Sequence, residues 1–164
     1  MSVLEHVVSN GYIPIIPILV WNLLFTSKLP EAYQPQSFNR NIPRIILTGE
    51  QIFRGIIFLL PICVRLTLTS SVAKTGFLTF LIGVVVYFSS WILLIYRPHS
   101  GWSKSLLGFI APAYTPSIWL IGLSLMGDSY YFPFIYSPWH LIAPAIAFSA
   151  FHISHAVFVY KRVY

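Results

Sequence analysis

Two short constellations in this chain hold residue types able to do chemistry. The first is Thr48-Gly-Glu-Gln-Ile-Phe-Arg-Gly55, in which Glu50 and Arg54 stand four apart inside an otherwise apolar run. The second is Phe151-His-Ile-Ser-His155, near the end of the last apolar run, with His152 and His155 three apart. At about 100° per residue these two imidazoles are roughly 60° apart on a helix and share one face. Imidazoles with a carboxylate suit zinc, iron or another transition metal, and the same groups can relay protons. Glu50 ahead of Arg54 is the favourable order for an i,i+4 ion pair, which lowers the cost of burying both in a membrane. Alternatively, the Arg54 guanidinium binds the carboxylate or phosphate of an anionic ligand in a two-point contact.

The connection Tyr96-Arg-Pro-His-Ser-Gly-Trp-Ser-Lys104 adds Arg97 and His99. The candidate acid–base residues are therefore Glu50, His152 and His155, and the candidate ligand-holding residues Arg54 and Arg97. His99, His152, His155 and Glu50 are the candidate ligands of a transition metal. A haem held by two axial histidines would draw on His99, or on His6 facing His140 at the opposite end. His140 lies roughly 18 Å from His152 along a helix axis and cannot share its site. The plainer alternative for each histidine is a hydrogen bond that holds helices together.

The elements that position these residues are set by composition. The chain is 57% hydrophobic and 9% charged, with a mean hydropathy of +0.76. Soluble domains carry about 25% charged residues, so this is expected to be an integral, multi-pass membrane protein within a lipid bilayer. The pattern predicts a single all-α domain over 1–164, a bundle of about five transmembrane helices spanning roughly 8–27, 43–64, 75–96, 105–126 and 139–160. No basic leader or small-residue cleavage site accompanies the first run, so it reads as a retained helix. Pro112 and Pro116 are expected to kink the fourth span. Five helices bury little interior, which points to a homo-oligomer or a larger membrane complex.

The net charge of +6 does not imply nucleic acid, because the ten Lys and Arg residues lie apart at helix ends. They order the topology instead. With the N-terminus outside, inner connections hold Lys28, Arg40, Arg44, Arg97, Lys104, Lys161 and Arg162, and outer ones hold only Arg65 and Lys74. The positive-inside rule then places the C-terminus inside, and it gathers Glu50, His99, His152 and His155 toward the inner leaflet.

Several classes are excluded. The lone Cys63 forbids an internal disulfide and a Cys-based zinc motif. There is no Gly-x-Ser-x-Gly elbow, no phosphate-binding glycine loop and no internal repeat, and four acidic residues are too few for paired-carboxylate hydrolysis. The chain resembles the translocator proteins in size alone. Tyr96-Arg-Pro-His-Ser-Gly101 has histidine and proline in the opposite order from the motif of isoprenylcysteine-type membrane methyltransferases, and five histidines are too few for desaturase histidine boxes. What remains is a metal- or haem-dependent membrane enzyme acting on or binding a lipophilic or anionic ligand. The alternative is a small transporter, channel or accessory subunit.

Overall fold

The computed structural model describes residues 7–164. It is an all-α bundle with one short β-ribbon. After a 3-10 turn at Ile13–Ile15 comes α1 (Ile16–Phe25), extended by a second turn at Thr26–Lys28. The short α2 (Pro35–Phe38) leads to α3 (Arg44–Leu59) and a 3-10 turn at Leu60–Cys63. Then follow α4 (Ser71–Tyr96), α5 (Gly101–Lys104), α6 (Leu106–Phe109), α7 (Ala111–Tyr114), α8 (Pro116–Met126) and α9 (Trp139–Val163).

Among the described residues three helical segments are long and apolar enough to cross a membrane: Arg44–Cys63, Ser71–Tyr96 and Trp139–Val163. Their outward faces are the apolar ones. On α4 the buried stripe holds Gly76, Gly83, Tyr87, Ser90 and Trp91, while Leu78, Leu81, Ile82, Val85 and Val86 are exposed. Such a surface belongs against hydrocarbon, since in water it would form an apolar patch far beyond what a monomer tolerates.

The other two expected spans are built differently. The first apolar helix, Ile13–Lys28, falls short of the roughly 20 residues a hydrocarbon core requires. The span expected at 105–126 is not one helix but three pieces. Pro112 and Pro116 have no N–H to give Gly108 and Pro112, so the helix interrupts just before each, at Ile110 and Thr115. Thr115 Oγ1 donates to Ala111 O at 2.8 Å, the carbonyl that also accepts the Thr115 N–H. Pro144, inside α9, leaves that helix continuous.

Two seams hold the bundle. The most extensive joins α4 to α8; the next joins α3 to α9, and α9 also meets α8. α1 closes the ring against α4, with Trp21 stacked on Phe88 at 4.2 Å and Tyr87 Oη donating to Asn22 Oδ1 at 2.7 Å.

The connections collect at two ends. At one, β1 (Val64–Leu66) pairs antiparallel with β2 (Gly127–Tyr130), Arg65 opposite Ser129, and Asn10 bridges to Arg65. The sequence pattern predicted only loops there. Backbone groups left over at the ends of the second and fourth apolar runs satisfy one another in this ribbon. At the other end Tyr160 Oη donates to Lys104 O at 3.3 Å, and Arg162 donates to the carbonyls of Ser37 and Arg40.

Candidate functional site

Glu50 is the hub of the α3–α9 seam. It is 2% exposed, and three side chains converge on its carboxylate. Arg54, one turn along α3, pairs with Oε1. His155 Nδ1 lies 2.6 Å from Oε2, and His152 Nδ1 lies 3.1 Å from Oε1, off the line a hydrogen bond requires. Gly49 makes this approach possible: the Phe151 ring lies where a Cβ on Gly49 would stand. Phe151 also stacks on Phe53, so α3 and α9 meet at a defined rotation.

The second nitrogen of His155 settles where one proton sits. Nε2–H donates to the carbonyl oxygen of Phe38 at 3.0 Å, an acceptor that has no proton to give. One further proton bridges Nδ1 and Glu50 Oε2. His155 is thus engaged on both sides, and Phe38 packs on its ring with centroids 4.1 Å apart.

His152 differs. It is stacked on Phe148 at 5.1 Å, with its Nδ1 toward Glu50 and its Nε2 free of any hydrogen bond among the described residues. Arg54 lies over the same Phe148 ring, 5.9 Å from its centroid, and its side chain is 39% exposed. Both line a central cavity of about 560 Å³, walled by Tyr87 and Trp91 of α4, Trp119 of α8, Phe148 of α9, and Tyr33 and Phe38 from the segment after α1. The Trp119 Nε1–H is buried and has no hydrogen-bond partner among the described residues. A buried donor of this kind costs about 1–3 kcal/mol until an acceptor reaches it.

The remaining candidates lie elsewhere. His99 lines a separate pocket at the basic end, with Arg40 and Arg162, and does not join Glu50. Arg97 is exposed where α4 ends and does not line the central cavity. Among the described residues no group of three or more His, Cys, Asp or Glu side chains is arranged to hold a metal ion. The reason is visible at His155, whose two nitrogens already face Phe38 O and Glu50. His6 lies outside the described residues. His140 Nδ1 accepts from Ser137 N–H at 3.3 Å, so the Tyr130 hydroxyl at 3.0 Å donates to it as well.

Sequence reasoning had no signal for Phe38, which acts through its backbone carbonyl, and none for Gly49. Residue order marks Trp119 only as one aromatic residue in an apolar run, yet it is 2% exposed and lines the cavity. The chain matches no protein-family model, no curated protein and no solved structure. What the site can do therefore follows from its geometry.

Proposed function

We propose that this chain is an integral membrane protein of five passes, N-terminus outside, whose central cavity binds an amphiphile through an anionic or acceptor-rich head group. His152, backed by Glu50, exchanges a proton at that head. The passes include the short first helix and the broken fourth, whose freed backbone groups are buried in protein, where a membrane tolerates them. Seven basic residues at one end against Arg65 and Lys74 at the other set the orientation.

The observation that carries this reading is Arg54. A guanidinium anchored on one side by Glu50 presents its remaining N–H groups to an aromatic cavity walled in part by Trp119. Aromatic walls accept an acyl or isoprenoid body, and a cavity of about 560 Å³ is of the size that takes small ligands. His152 has the disposition of a general base: the Glu50 carboxylate lies 3.1 Å from Nδ1 and Phe148 stacks on the ring, leaving Nε2 for the ligand.

The second reading, a transport pathway, is favoured by one feature. Tyr33 and Phe109 line both the central cavity and the pocket at the basic end, so the two cavities lie in series. The metal or haem reading is disfavoured by the engagement of His155, and elemental analysis with an absorbance spectrum of tag-free protein should find neither.

Native mass spectrometry of the purified protein, with dodecanoate as added probe, tests the main reading. Wild type should retain the amphiphile, and Arg54→Gln should weaken retention about tenfold, or about 1.4 kcal/mol, at unchanged helix content. A wild-type protein that neither retains a native amphiphile nor takes up the probe would overturn it.

A further inference from the structure

The basic end holds a second pocket, of about 470 Å³, between the Glu31–Arg40 segment, the end of α4 and the end of α9. Its floor is apolar, made by Tyr33, Leu94 and Phe109. Its rim is basic, made by Arg40, His99 and Arg162, with Glu31 the one acidic side chain among the described residues that line it. A wall separates it from the central cavity. The break in the helix at Ile110 leaves the Phe109 carbonyl without a helical donor, and the Tyr33 hydroxyl donates to it at 2.7 Å, its ring stacked on Phe109 at 4.6 Å. Burial, and secondarily the neighbouring Tyr164, raises the Tyr33 hydroxyl far above its ordinary pKa, so it remains the donor that keeps the wall closed.

We propose that this pocket is a binding site for a phosphate group borne on an amphiphile, separate from the central cavity. Arg162 is held in place from behind: the carbonyls of Ser37 and Arg40, at the end of α2 and just past it, take two of its N–H groups. Three of the five N–H donors of that guanidinium remain. The Arg40 guanidinium has no hydrogen-bond or ion-pair partner among the described residues, and neither has the His99 ring. Two guanidiniums and an imidazole around one opening exceed what the two oxygens of a carboxylate use, and match a phosphate with its several acceptor oxygens and higher charge. The apolar floor beneath the rim fits a chain attached to that phosphate, as at basic pockets between transmembrane helices that hold anionic lipid head groups.

The test is a titration in maltoside micelles, which contain no phosphate. The probes are dihexanoyl phosphatidic acid, inorganic phosphate, and dihexanoylglycerol as the phosphate-free control. Phosphatidic acid should bind wild type, and Arg40→Gln should weaken binding at the basic end at least tenfold; the same Arg40 dependence should persist in an Arg54→Gln background, where the central cavity competes less for the probe. Arg40 is exposed, so its substitution leaves the fold intact; Arg162→Lys, which shortens the latch and retains the charge, should give an intermediate loss. Inorganic phosphate binding as tightly, with the same dependence on Arg40, would support the phosphate site and make a soluble phosphate its ligand in place of a lipid. Equal binding of dihexanoylglycerol, or indifference to Arg40→Gln, would overturn the proposal.

Discussion

The two long seams of the bundle are joined by opposite chemistry. Between α4 and α8 no side-chain hydrogen bond or ion pair crosses among the described residues, and the buried Ser90 and Ser124 bond within their own helices. A Cβ placed on Gly83 would overlap the backbone of Trp119, and one on Gly122 would overlap that of Phe80, so the helices meet backbone to backbone. Between α3 and α9 the contact is Glu50 with Arg54, His152 and His155 around it. In hydrocarbon there is no hydrophobic force between helices, and the two devices left are close packing of small residues and polar contacts. This protein uses one for each seam. The packed seam fixes the frame, while the polar seam holds protonatable groups against a cavity.

That contrast can be broken at several points. The largest effect is expected from Gly83→Leu, because backbone cannot yield as a side chain does: a cost of about 3 kcal/mol or more, seen as loss of folded protein in detergent. Next is Glu50→Ala, which leaves Arg54 and His155 without their anion. Breaking a buried charge pair from one side costs about 3–5 kcal/mol, measurable as unfolding in a denaturing detergent. A Glu50→Leu, His155→Leu double variant should recover much of that loss, since it removes the buried imidazole with its partner and leaves only the partly exposed Arg54 without an anion. It should not recover ligand retention. If the double variant is as unstable as Glu50→Ala, the polar seam is not the self-contained unit described here.

Smaller effects are expected at the ribbon end. The Tyr136 hydroxyl donates to Ser124 O at 2.6 Å, and Tyr136→Phe should cost about 1 kcal/mol in thermal stability. Burial, and secondarily the neighbouring Tyr130, raises the Tyr136 pKa above its ordinary value. The sign follows from linkage. The unfolded phenol ionises first, so this stabilisation is complete below about pH 10 and lost as the pH rises from there toward the folded pKa. A thermal melt series from pH 8 to 11 should show wild type declining more steeply at the alkaline end than Tyr136→Phe; parallel curves would remove Tyr136 from the account.

Much of the framework was legible from residue order. Apolar runs at 43–64, 75–96 and 139–160 correspond to helices at Arg44–Cys63, Ser71–Tyr96 and Trp139–Val163. The prolines at 112 and 116 announced a disturbance, but their result is a helix in three pieces. Inside the site, the i,i+4 pairing of Glu50 with Arg54 and the shared face of His152 and His155 follow from helix geometry alone.

The rest required the neighbours. Nothing local sends His155 to the carbonyl of Phe38, 117 positions away, or to Glu50, 105 positions away. Nothing local separates His99 from that cluster. Helical periodicity is written into consecutive residues because each turn is closed by bonds four positions apart. The rotation of one helix against another depends on which glycines admit a backbone or a ring, and hydropathy does not register that. Residue order therefore determined the helices and the charge at their ends, while tertiary packing decided which carboxylate met which imidazole and where the cavities lie.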